Sequence, residues 1–250
     1  MFTVKEREAI RDSLLSRASA DGRVSAGAVT GSASVGKEDE WSDIDLAFGV
    51  SRGHKVQDIV DGYSAVMRED FQAVDFMDIT AGDWHYRVFL LRSTLQVDLA
   101  FAPAESFGAG GPTFKLMFGS AGTAKFGPIS PETPSRGWAW LYALHVRSAI
   151  ARGKLLQAEN LLSHLREQVL SLACVRLNLR YDHGREFDLL AAQVRPTVLE
   201  CLPNWLDAAE LARAFGASIQ MLVNELKNVQ LSNADELETT LRDLARFPAP

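Results

Sequence analysis

The chain reads as an α/β protein: a small mixed β-sheet with helices in its first half, then an all-α helical bundle. Three observations predict this class. Short stretches alternating apolar and polar residues, the period of a strand, fall within residues 24–101. From Trp138 onward, apolar residues instead recur at the three, four and seven spacing of helices. Between the two, residues 103–135 concentrate Gly108, Gly110, Gly111, Pro112, Gly127, Pro128, Pro131 and Pro134, a composition suited to a domain junction. The expected domains are therefore residues 1–128 and 129–250.

Taken in order, residues 3–20 place Val4, Ile10, Leu14, Leu15 and Ala18 along a helical stripe among Lys, Arg and Glu, and Asp21-Gly22-Arg23 ends it. Val24 to Thr30 is small and apolar, a buried strand running into a Gly31-Ser32 turn. Lys37 to Glu40 is a charged loop. Beyond it Asp43, Asp45, Ala47 and Gly49 alternate with Ile44, Leu46, Phe48 and Val50, so one strand face is apolar and the other carries two carboxylates. Val56, Ile59, Val60, Tyr63, Val66 and Met67 mark an amphipathic helix over 55–69. Strands follow at 73–79, 86–92 and 95–101, with Arg92-Ser93-Thr94 as a hairpin connection and with Asp75 and Asp78 at strand ends. Phe114, Leu116, Met117 and Phe118 suggest one short packed element inside the junction. Helices are expected over 136–152, 154–180, 185–202, 207–229 and 233–245, the last opening at Ser232-Asn233, and Asp182-His183-Gly184-Arg185 reads as a turn.

Composition excludes several classes. The 250 residues are 47% hydrophobic and 23% charged, as in an ordinary globular protein. A net charge of −6 argues against broad nucleic-acid binding, which needs a basic surface. Cys174 and Cys201 sit in apolar stretches and read as buried thiols, not a disulfide or a metal pair. His145, His164 and His183 do not fall at metal-ligand spacings. No run of apolar residues suits a membrane span, and no secretory leader is visible, so a cytoplasmic location is expected.

The chemistry concentrates at Asp43 and Asp45. Side chains two apart on a strand sit roughly 7 Å apart at the backbone, within reach of one centre. Two carboxylates about 4 Å apart repel by about 4 kcal/mol at an effective dielectric of 20, so a proton or a cation must join them. Oxygen-only ligands favour Mg²⁺ or Mn²⁺ over zinc. Taken alone, such a pair is more readily the solvated start of a surface strand. The Gly31-Ser32 turn changes that balance, because glycine beside a small hydroxyl residue lets backbone N–H groups approach a phosphate. Asp98 is a further acid on a strand, opposite Leu95, Val97, Leu99 and Phe101, where acids are depleted.

Gly31-Ser32 followed by Ser42-Asp43-Ile44-Asp45-Leu46 resembles the signature of the nucleotidyltransferase superfamily, which includes DNA polymerase beta and the aminoglycoside and lincosamide nucleotidyltransferases. That pattern runs Gly-Ser, spacer, Asp-x-Asp, then a third carboxylate on a later strand. The resemblance implies Asp43, Asp45 and Asp98 as ligands for two Mg²⁺ ions, and Gly31, Ser32, Ser42 and Lys37 as contacts to a nucleoside triphosphate. It implies transfer of AMP from ATP to a hydroxyl of a small molecule. It also implies a helical domain walling the acceptor cleft, where Glu159, with Arg147 and His145 a helix earlier, is a candidate general base by position only. Three alternatives stay open: a protein or RNA acceptor, as in toxin–antitoxin pairs; a silent nucleotide-binding sensor; and a phosphohydrolase using the same acids. Oligomeric state is open.

Overall fold

The computed structural model describes residues 1–190, 192, 194–229, 231 and 233–246. Its contacts separate into two compact units, Met1–Pro131 and Glu132–Pro250.

Unit 1 begins with helix α1 (Val4–Ala20), opened by Thr3 and Glu6 in a reciprocal capping box that satisfies two otherwise orphaned N–H groups. Strand β1 (Val24–Thr30) leads into a 3-10 turn at Ala33–Val35, and β2 (Ile44–Val50) follows. Helix α2 (Val56–Glu69) crosses to β3 (Ala73–Ala81), β4 (Trp84–Leu91) and β5 (Gln96–Pro103). Two-residue strands β6 (Gly108–Ala109) and β8 (Gly122–Thr123) pair with each other and flank β7 (Phe114–Phe118). The main sheet has six strands in the order β3-β4-β5-β2-β1-β7. All neighbours are antiparallel except β2 and β5, whose parallel pairing α2 makes possible by carrying the chain across the sheet.

The alternation read from the sequence sorts the two faces. Ile44, Leu46, Phe48, Val50, Val97, Leu99 and Phe101 point toward Leu14 and Ala18 of α1 and Ile59, Tyr63 and Met67 of α2, forming the main core. The opposite face is floored by Ala26, Ala28, Ala47, Ala100 and Ala102, beneath Trp84 and Phe107. The Trp84 indole N–H donates to the Lys125 carbonyl at 3.0 Å, which satisfies its polar edge where the ring is buried.

Several expectations change. Val4 is 41% exposed, and the place it was given on the buried stripe belongs to Arg7. Asp75 and Asp78 lie inside β3, not at its ends. Asp78 accepts two bonds from Arg87, at 2.6 and 2.7 Å, and lies 2.9 Å from His85 Nε2. Phe114–Phe118 is an edge strand of the main sheet with Leu116 and Met117 exposed, so it is less packed than its composition suggested. At the end of unit 1, Ser130 N–H donates to Thr80 O at 2.8 Å and Ile129 bridges to Ala81.

The described regular elements of unit 2 are helices: α3 (Arg136–Ala151), α4 (Leu155–Arg176), α5 (Val194–Glu200), α6 (Ala208–Leu226) and α7 (Ala234–Leu244), with short 3-10 turns at Asp182–Gly184 and Phe187–Leu189. Helix α3 packs against α4, α6 and α7, so its buried side centres on Trp140, Leu144 and Arg147. Trp138 and Tyr142 are half-buried, with Trp138 tilted against Tyr142 and the Tyr142 ring stacked on His164. Helix α4 stops short of residue 180 because Asn178 takes a left-handed φ of 56°. The helix expected over 185–202 is broken. His183 and Gly184 have φ of 57° and 69°, and Pro196 is tolerated only because it falls in the first turn of α5. Ser232, part of the expected start of α7, lies outside the described residues. Cys174 and Cys201 are buried free thiols. Among the described residues, no helix is long and apolar enough to cross a membrane.

Candidate active site

The parallel register of β2 and β5 sets Asp45 directly beside Asp98. Both carboxylates lie on the alanine-floored face, because the residues on either side of each belong to the main core. Asp43 precedes β2 and completes the group: one carboxylate oxygen from each of Asp43, Asp45 and Asp98 lies within 4.8 Å of the others. Among the described residues this is the one group of three or more acidic, histidine or cysteine side chains so gathered.

Burial dominates the electrostatics. It pushes the Asp45 carboxyl up to about 7, helped by the neighbouring Asp43 charge and a hydrogen bond shared with Asp43. Burial, then the charges of Asp45 and Asp43, hold Asp98 well above the usual carboxylate range. Gln96 Nε2 works the other way, donating to Asp98 Oδ1 at 3.0 Å. A cluster that resists shedding its protons is one that a divalent cation would relieve. An all-oxygen donor set suits Mg²⁺ or Mn²⁺, so these residues fit such an ion.

The glycine of the turn is dictated by the same cluster. Gly31 has a φ of 60°, and a Cβ built there would overlap Asp45 Oδ2. The turn is held by Ser34 Oγ donating to Gly31 O at 2.8 Å and by Lys37 N–H donating to Ser32 O at 3.0 Å. Ser32 Oγ makes no cap bond to the 3-10 turn it opens. Gly31→Ala is expected to destabilise unit 1 by about 1–3 kcal/mol, and to weaken Mn²⁺ binding because Asp45 must move. Paired thermal melts and calorimetric titrations check this, and unchanged Mn²⁺ affinity would count against a turn fitted to the carboxylate.

The remaining sequence-derived residues fare differently. Ser42 is buried, with its Oγ donating to Asp39 Oδ1 at 3.0 Å and accepting from Asp39 N–H at 2.9 Å, so its hydroxyl braces the loop. Lys37 is exposed. Glu159 lies on α4 in the second unit, 3.7 Å from Arg166 Nη2, with 42% of its side chain exposed. Sequence reasoning missed Gln96 and Ser34. Gln96 was detectable in principle, since it stands two residues before Asp98 and therefore shares its face.

No family model matches the chain, and no curated protein matches it. Among solved structures the chain is similar to an aminoglycoside 6-adenyltransferase from Bacillus subtilis, at 12% identity over 99% of this chain and 100% of that one, with a TM-score of 0.34.

Proposed function

We propose that the protein is a Mg²⁺-dependent nucleotidyltransferase passing a nucleoside monophosphate, AMP from ATP, to a hydroxyl of a small molecule. Aminoglycoside and lincosamide antibiotics are the acceptor classes to try first. The observation that carries this reading is the convergence of Asp43, Asp45 and Asp98 beside a Gly31 whose missing Cβ makes room for Asp45.

In this reading Asp43, Asp45 and Asp98 hold two ions. When bound, divalent ions supply neutralising charge for the phosphates and lower the cost of ionising the attacking hydroxyl. Gly31 and Ser32 bind the outer phosphates through backbone N–H groups and the Ser32 hydroxyl, and exposed Lys37 adds charge there. Ser42 braces the loop that delivers Asp43 through its hydroxyl. The acceptor oxygen forms a bond to the α-phosphorus, the bond to pyrophosphate breaks, and the hydroxyl proton passes to Asp98. Catalysis is then mostly placement and fixed charge. Glu159 is the weaker assignment for a base, because its carboxylate already faces Arg166. The partners are a nucleoside triphosphate and a hydroxyl-bearing acceptor.

Transfer of label from α-phosphate-labelled ATP, with Mg²⁺, to a panel of aminoglycosides and lincosamides tests this. Label on a drug establishes the reading. Mg²⁺-dependent ATP binding without labelled drug points to another acceptor or a sensor, and absence of nucleotide binding overturns it.

A further inference from the structure

Arg7 is a charged residue buried to 2% exposure on the first helix, and its guanidinium is spent on the loop that delivers Asp43. Its Nη1 donates to the backbone carbonyls of Asp39 and, at 3.2 Å, of Ser42, the residue immediately before Asp43. Its Nε lies 3.2 Å from Glu38 Oε1, an ion pair in which that N–H makes no hydrogen bond. One turn along α1, Arg11 donates to both oxygens of Glu38 at 2.8 Å. From inside the loop, Ser42 N–H donates to Asp39 O at 3.2 Å and the Ser42 hydroxyl ties to Asp39. Residues 38–42 thus form a closed turn gripped from the helix side by one planar fork. A lysine ammonium could not span two carbonyls and a carboxylate in that geometry.

We infer that Arg7 is a positioning residue that sets where the Asp43 carboxylate stands relative to Asp45 and Asp98, and thereby sets the divalent-cation affinity of the site. This rests on the metal-dependent reading above. Asp45 and Asp98 are fixed by strand register, whereas Asp43 lies before β2. What holds its backbone is therefore the loop, and Arg7 is the side chain that ties the loop's Asp39 and Ser42 carbonyls to α1. The spacing of Arg7 and Arg11 with Leu14 and Ala18, all on one stripe of α1, aims both guanidinium groups along the sheet toward that loop.

Mn²⁺ binding to the full chain, measured by calorimetry beside thermal melts, tests it. Arg7→Lys is expected to stay folded and to bind Mn²⁺ about tenfold or more weakly, the usual cost of losing a group that orients a ligand. Arg7→Ala should do the same, and millimolar guanidinium should restore part of the affinity. Should either variant not fold, Ser42→Ala removes the two bonds of the Ser42 hydroxyl from the same loop with little change in packing and should weaken Mn²⁺ about tenfold, near the net cost of two hydrogen bonds. A wild-type protein that binds no Mn²⁺ sinks the metal reading and this inference with it. A wild type that binds while folded Arg7→Lys or Ser42→Ala binds equally well overturns the inference alone.

Discussion

Asp45→Asn is expected to lose nucleotidyl transfer by roughly 10³-fold or more, and yet to melt at a higher temperature than the wild type without metal. The two effects share one cause. Asp45 stands directly beside Asp98 on neighbouring parallel strands, with Asp43 within reach of both. Burial and that crowding push its carboxyl up to about 7. Above that pH the apo fold must hold a charge it disfavours, and a neutral amide of the same shape removes the penalty. From the raised carboxyl value the gain is on the order of 2–4 kcal/mol near pH 8, enough to raise the melting temperature of the affected unit by roughly 5 °C or more. The amide also removes an anionic ligand, so Mn²⁺ should no longer raise the melting temperature appreciably. Calorimetric scans with and without Mn²⁺, beside the label-transfer assay, give both numbers. A variant that melts lower than the wild type in the absence of metal, or that keeps most of the transfer rate, would remove Asp45 from the role assigned here.

The second large effect is a pH dependence of stability that divalent ions should cancel. In the unfolded chain Asp45 loses its proton near the ordinary value of 3.8, whereas in the fold it does so at about 7. The folded state therefore binds the proton more tightly. Stability from this group is fully present below the unfolded value and is lost as pH rises through the window from about 4 to about 7. Asp98 shifts in the same direction for the same reasons and steepens the loss. Asp78 runs oppositely, its carboxyl held at about 2 against the cost of burial by bonds from Arg87 and His85, so its stabilisation fades only in more acid solution. Melts between pH 4.5 and 8 therefore isolate the cluster. The wild type should lose ground to Asp45→Asn steadily across that range, by on the order of 3–4 kcal/mol in all. Saturating Mn²⁺ should flatten the curve, because the cation takes the proton's place. A difference between the two proteins that is independent of pH would mean that the three carboxylates are solvated and uncoupled.

The alternation of apolar and polar residues was enough to place the five long strands β1 to β5 and to sort the two faces of β2 and β5, though not β6, β8 or the exposed edge strand β7. A period of two leaves no freedom: once Ile44, Leu46, Val97 and Leu99 are buried, Asp45 and Asp98 must share the other face. The Gly-Ser turn was legible as a backbone open to a phosphate, whereas the clash that a Cβ on Gly31 would make with Asp45 is a finding of the fold. Long helices with strong apolar spacing were legible to within a few residues. The broken stretch before α5 was not, because apolar content alone does not register two left-handed residues or a proline that must open a helix.

What the tertiary structure alone decided is who meets whom. Strand order and parallel pairing put Asp45 beside Asp98, two residues separated by more than fifty positions, and no local pattern encodes that register. It also reassigned charged residues. Arg7, one of the charged residues among which the stripe of α1 runs, is buried because the 38–42 loop offers it carbonyls and a carboxylate in place of water, and only the folded chain brings those acceptors to it. Glu159, read as a candidate base, lies 3.7 Å from Arg166 Nη2 on the same helix, a partner that its position in the sequence does not name. A single charged side chain carries no periodic signal of its own, so its role follows from the partners the fold supplies.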